Sequence, residues 1–309
     1  MHSLAQRRRF FLLGACLALF GAASFAHASP PRRDSARAGN APEAAGRDPF
    51  ALAVDAQRTA ITRENSTPSA MAWAGDYYAG DGLGANISMS LASHAGVAAA
   101  WQGCLGTYAI NKGNVVAQSD GSLRLEYEQP NDPKSIGFAD HVLPVAWGER
   151  MYLIPESQLP AFASAVNLGS EPREEAPGSF LMRNGDERRE VRGLPDLPPA
   201  QRSLIRDVPL DVGVVSVKRL PDVDPHHYEC RFRLELAHGA SDRLAEGMDL
   251  DPAESSTGGR VTLERTTPTR AIATMTLYGD ECTTRARQPS IATRLTTGAY
   301  RGTSSSAKP

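Results

Sequence analysis

Cys104 is the residue best suited by type to covalent chemistry, because a thiolate activated by a histidine is a competent nucleophile and His94 and His141 lie in the same stretch of chain. Gln102-Gly103-Cys104 lacks the downstream pattern of papain-like enzymes and the motif of cell-wall transpeptidases. Its apolar neighbours Trp101, Leu105 and Tyr108 favour a buried, inert thiol. Cys104 is nonetheless the catalytic candidate of the chain, and a thiol-dependent or other hydrolase is one alternative reading of its function.

The densest ligand-like cluster is Asp222, Asp224, His226 and His227. Adjacent histidines on an extended strand point to opposite faces and do not readily share one metal, so a solvated, Pro-flanked loop is the better account. The pair Glu174 and Glu175 sits in a charged Pro/Gly stretch where solvation is expected. Gly80-Asp81-Gly82-Leu83-Gly84 is followed by a strand pattern, whereas a dinucleotide fingerprint needs a helix there to receive the pyrophosphate. A calcium site built on Asp76 and Asp81 would lack the Asp-x-Asp-x-Asp-Gly run of an EF-hand. No nucleophile elbow, zincin helix or P-loop occurs after the leader, so neither metal nor cofactor is expected.

What remains is aromatic. Trp73, Tyr77, Tyr78, Trp101, Tyr108, Trp147 and Tyr152 form a set that would build a β core and line any cavity within it. Tyr77, Tyr78, Asp81, Trp101 and Trp147 are accordingly the candidate ligand-binding residues.

The elements that must position these residues begin after a leader. Arg7, Arg8 and Arg9 precede an apolar stretch from Phe10 to Phe25, and Ala26-His27-Ala28 ends it as a small-x-small cleavage site. Residues 1–28 read as a signal peptide cleaved after Ala28, which predicts a periplasmic or secreted protein. General secretion and the twin-arginine route both fit. Leu13-Gly14-Ala15-Cys16 resembles a lipobox, so a membrane association would require lipidation at Cys16 or a retained signal.

Without the leader, 30 basic face 35 acidic side chains, a net charge of −5 against −2 for the whole chain. That balance, with no aromatic-interleaved Lys/Arg stripe, excludes a phosphate-tracking nucleic-acid binder.

Residues 29–47 read as a disordered tether, rich in Pro, Ala and Gly. Asp48-Pro49 then opens a helix in which Phe50, Ala53, Val54, Ala60 and Ile61 share one face, with Gln57 as the polar interruption, ending near Asn65. Short strands are predicted at 73–78, 85–91, 96–101, 106–110, 114–118 and 123–127, followed by a hairpin of 142–147 with 151–154. Leu159, Phe162, Ala163 and Val166 mark a helix that packs on or plugs the sheet, with Gly169 as its C-cap, and 180–182 is a closing strand.

Residues 48–197 are thus an N-terminal β-domain with flanking helices, bounded by a Pro-rich stretch at 194–199. Residues 207–300 form a C-terminal small β-domain with strands at 211–218, 228–236, 259–264 and 271–277, and 301–309 a disordered tail.

Three cysteines follow the leader, so one is left over from any internal pairing. Cys230 and Cys282 share the C-terminal β region and are the expected disulfide; Cys104 is the free thiol.

The motifs Gly75-Asp76-Tyr77-Tyr78-Ala79-Gly80-Asp81-Gly82-Leu83-Gly84, Trp101-Gln102-Gly103-Cys104-Leu105-Gly106-Thr107-Tyr108 and Pro144-Val145-Ala146-Trp147-Gly148-Glu149-Arg150-Met151-Tyr152-Leu153 resemble an uncharacterised family of secreted bacterial proteins with a lipocalin-like N-terminal β-domain. The resemblance spans about 71–197 and implies no catalytic residues. Residues 259–275 are similar to small β-barrels that end several bacterial envelope proteins, flagellar assembly factors among them.

The expected fold is mainly β: an antiparallel meander or lipocalin-like half-barrel with one packed helix, plus a second small β-barrel-like domain. The expected function is non-enzymatic binding of an unknown small molecule or envelope protein, with a structural or assembly subunit as a further alternative.

Overall fold

A computed structural model of the chain describes residues 48–80, 82, 84–132, 137–175, 180–221, 228–253 and 259–300. The leader, tether and tail assigned above lie outside the described residues, as do Asp81, Asp222, Asp224, His226, His227 and the side chains of Glu174 and Glu175.

The chain is mainly β, as its strand periodicity predicts, and builds two closed antiparallel barrels. The first has eight strands in sequence order: β1 (Gly75–Gly80), β2 (Ala85–Ala92), β3 (Gly96–Gly103), β4 (Gly106–Ala117), β5 (Leu123–Tyr127), β6 (His141–Trp147), β7 (Arg150–Pro155) and β8 (Leu181–Arg183). The expected half-barrel is closed because β8 pairs with β7 on one side and β1 on the other, with Tyr78 opposite Met182. Closure gives each described strand a neighbour on both sides.

Where two strands were expected around Gly113, a single twelve-residue β4 runs through. A side chain at Gly113 would place its Cβ 1.9 Å from the Glu126 carbonyl oxygen, so this glycine permits close backbone approach instead of ending a strand.

Inside this barrel lie Tyr77, Met89, Leu91, Val97, Ala99, Leu123, Leu125, Val142, Leu153 and Leu181, all buried. Eight strands give an interior about wide enough for side chains or one small ligand, and these residues fill its middle. Phe138, on the β5–β6 connection, joins the same core. Asn131 fixes it, donating to the Phe138 carbonyl at 2.7 Å and accepting from its N–H at 2.8 Å.

Helix α1 (Pro49–Asn65) lies outside the barrel, and its Val54 and Ile61 pack with Ala92 and Ala98 of β2 and β3. Of the expected stripe, Ala60 is exposed; the sheet-facing set is Phe50, Val54, Gln57 and Ile61.

The second barrel has six strands: β9 (Asp211–Arg219), β10 (Glu229–Leu236), β11 (Asp249–Pro252), β12 (Arg260–Thr266), β13 (Ala271–Tyr278) and β14 (Arg294–Thr296), ordered β10-β13-β12-β11-β14-β9. Neither β11 nor β14 is predicted by the sequence pattern. Four and three residues long, they carry too few alternations to register as strands, yet their pairing at Asp251 with Thr296 completes the barrel.

Helix α2 (Leu159–Leu168) is buried on nearly every side because both barrels use it. Leu159, Phe162 and Val166 face the outer surface of β6, β7 and β8. There Phe162 meets Trp147, Tyr152 and Phe180 edge-on at 6.3, 5.4 and 5.6 Å between ring centroids. Ala163 belongs to the core of the second barrel, and Ser164 Oγ accepts from the Asp249 N–H at 3.0 Å.

The Pro-rich stretch is also packed. Leu197 is buried in the α2 cluster, the Asp196 N–H donates to Ala146, and the Trp147 indole donates to Gly193.

Candidate functional site

The aromatic candidates do not converge on one cavity. A closed barrel turns alternate residues of each strand in and out. Tyr77 points inward, fully buried, with its hydroxyl donating to the Trp73 carbonyl at 2.6 Å; burial raises its pKa beyond the ordinary phenol range. Its neighbour Tyr78 takes the outer face, where it donates to Asn86 Oδ1 at 2.5 Å. Trp147 is likewise outside, in the α2 cluster, and Tyr152 is beside it. Tyr108 sits exposed on the β3–β4 hairpin. Trp73, Tyr77 and Trp101 are the members of the set that join the barrel core.

Trp101 is the interior residue with unfinished chemistry. It stands near the end of β3, partly buried, packed with the barrel core and opposite Ala109 of β4. Its indole N–H is shielded from solvent and meets no acceptor among the described residues. A buried donor left unpaired costs about 1–3 kcal/mol, so the position favours any occupant that brings an acceptor. A register shift between Trp101 and Gln102 marks the same place, where β3 and β4 extend as a hairpin past the core.

At that end lies the glycine-rich loop after β1. Asn86 Oδ1 accepts from both the Gly82 N–H, at 2.7 Å, and Tyr78. Asn86 thus anchors the loop. The sequence pattern carries no signal of this anchor, because Asn86 sits among the outward polar residues of β2.

Cys104 corrects an expectation. It is exposed, not buried, because Gly103 and Gly106 pair across a two-residue hairpin tip that carries Cys104 and Leu105 away from the core. Leu105 is 83% exposed beside it. Chain neighbours that are apolar do not surround a residue at a turn. The sulfur lies 3.8 Å from the Tyr108 hydroxyl.

His94 belongs to the β2–β3 turn, at the other end of the eight-residue β3 and about 25 Å away by strand rise. It engages Glu64 at 3.2 Å. His141 opens β6, three strands round the barrel. The fold therefore does not bring Cys104 and His94 together as a nucleophile and base.

Cys230 and Cys282 are joined as a disulfide, their Cα atoms 5.7 Å apart, linking β10 to the turn after β13. Both are buried in the core of the second barrel.

Three polar clusters organise the surroundings. Glu64 of α1 accepts from the N–H groups of His94 and Ala95 and from the Ser93 hydroxyl. Burial alone would raise its pKa, but these donors outweigh it and hold the carboxyl down at about 2.

Asp186, 1% exposed, accepts from the Met151 N–H at 2.9 Å and pairs with Arg183 and Arg189 at 3.2 and 3.0 Å. It fastens the segment after β8 to β7. Glu171 receives Arg150 at 2.8 Å and the Tyr152 hydroxyl at 3.2 Å.

Among the described residues no group of three or more His, Cys, Asp or Glu could hold a metal ion, and no helix is long and apolar enough to cross a membrane. Comparison with protein-family models, with curated proteins and with solved structures finds no match to this chain.

Proposed function

We propose that the chain is an exported binding module of the periplasm or extracellular space that takes a small apolar molecule bearing a hydrogen-bond acceptor at the Trp101 end of the first barrel. The observation that carries this reading is the indole N–H of Trp101, buried there without an acceptor among the described residues. Ala109, beside it, supplies little bulk, and Leu105 and Tyr108 present apolar surface on the adjoining hairpin. Export is supported by the composition of residues 1–28, and the Cys230–Cys282 bridge fits an oxidising compartment.

The test is a fluorescence titration of the periplasmic protein with 6-propionyl-2-dimethylaminonaphthalene, an apolar probe with a ketone acceptor, reading quenching of the three tryptophans by energy transfer. Saturable quenching is expected, and Trp101→Phe, which keeps an aromatic ring but removes the donor, should weaken binding roughly fivefold. Quenching that never saturates, or that is unchanged in Trp101→Phe, overturns the reading. Intact mass spectrometry of the same preparation checks maturation: a chain beginning at Ser29 is expected.

A further inference from the structure

The outer face of the second barrel carries a groove of about 310 Å³ lined by Arg233, Glu264, Arg265 and Ile272. It arises from strand register. On β10, Glu229, Arg231, Arg233 and Glu235 point outward between the buried Cys230, Phe232, Leu234 and Leu236.

On β12 the pairing with β13 shifts between Leu263 and Arg265, which inserts Glu264 as an extra residue and sets Arg265 opposite Ile272. Such a bulge re-aims side chains: Arg265 stands level with Glu235 across Ile272, and Arg233 one outward position further along, opposite Thr274, so both arginines line the same groove.

The carboxylate present does not satisfy these guanidiniums. Glu264 accepts from the Thr274 hydroxyl at 2.5 Å through one oxygen, and its other oxygen stands 4.0 Å from Arg233 Nε. The Arg265 side chain has no hydrogen-bond or ion-pair partner among the described residues. Around the groove, Lys218 lies opposite Arg233, and Glu235, which accepts from Ser216 at 3.2 Å, lies opposite Ile272. Three cations thus face two carboxylates, both of which already accept from hydroxyls.

We propose that this groove binds a small organic anion, its carboxylate or phosphate head held by Arg233 and Arg265 and its apolar part resting on Ile272. Guanidinium groups present fixed forks of donors that match either head group. The volume falls at the small end of ligand sites, enough for a head group and a few carbons. Arg233 and Arg265 hold the anion and Glu264 limits it to one head group. The site is on the opposite module from Trp101 and stands or falls independently of it.

Isothermal titration of the full chain with sodium phosphate, and separately with sodium butyrate, tests this at constant ionic strength kept by sodium chloride. At least one probe should bind saturably with one site, and the two arms tell a phosphate head from a carboxylate head. Arg265→Ala should weaken binding at least about tenfold, and Arg265→Lys should fail to restore it, because the fork is lost.

The Ile272 methyl resonance should shift on titration of the wild type and stay fixed in Arg265→Ala. Arg265 is exposed, so this variant keeps the fold. Absence of saturation with both probes, or equal affinity in Arg265→Ala, overturns the proposal.

Discussion

The side-chain amide of Gln57 and the carbonyl of Gly113 are 56 residues apart in sequence and 2.7 Å apart in space. The same amide nitrogen donates to Ala95 at 3.0 Å and Val97 at 3.1 Å, so one helical side chain ties α1 to β3 and β4. Gly96 and Gly113 make this possible, since a Cβ on Gly96 would stand 2.1 Å from the Gly113 oxygen and 2.8 Å from the amide. The polar break in an otherwise apolar stripe is the residue that docks the helix.

Replacing Gln57 by Leu should keep the helix and lose its docking. Three carbonyls lose their shared donor, at a cost of about 1–3 kcal/mol. Gln57→Glu should be worse at neutral pH, because a carboxylate would face three carbonyl oxygens, and should recover as the acid is protonated. Hydrogen exchange of α1 amides, read across pH in both variants, checks the order.

Glu64 sets an acid limit on the same contact. Its folded pKa, near 2, is depressed below the usual carboxylate value, so its contribution is fully present above about pH 5 and is lost as the pH falls toward 2. The carboxylate is one-fifth exposed, and solvent discounts the shift to about 1–2 kcal/mol. Glu64→Gln should lower stability by that amount at pH 7 and by little at pH 2. Urea unfolding at the two pH values measures the difference.

Asn167, at the end of α2, couples the barrels. It is 2% exposed, donates to the Leu204 carbonyl at 2.8 Å and accepts from the Arg206 N–H at 2.9 Å. Asn167→Leu strands both peptide groups in the interior and should cost about 2–4 kcal/mol. Calorimetry should then resolve two unfolding transitions where the wild type shows one.

The cysteines should separate cleanly by reactivity. Iodoacetamide under native, non-reducing conditions is expected to label Cys104 alone and leave the melting temperature unchanged, since its side chain is exposed. Reduction should destabilise the second barrel by about 4 kcal/mol, the chain-entropy value for a bridge spanning 52 positions. Mass mapping of the alkylated peptides and a melt with and without reductant decide both points.

Strand periodicity, turn residues and the apolar face of α2 made both β modules legible, because period 2 and period 3.6 are local properties. They did not reveal which face of a strand is inside. Tyr77 and Tyr78 are adjacent, and both were candidate ligand residues; closure of β1 against β8 sends one into the core and the other to the surface. Trp147 and Trp101 are divided in the same way, by a barrel wall. The arginine groove is not legible in the sequence because it depends on a one-residue shift between β12 and β13, which leaves no local signature.

The sequence by itself determined the β character, the two-module plan and the odd thiol, each of which follows from residue types and near-neighbour spacing. Only the tertiary structure decided that both barrels close, that α2 is shared between them, and that Cys104 is exposed. Those outcomes depend on pairings between distant segments, such as β8 with β1 and β14 with β9, whose short strands become stable only when their partners are already in place.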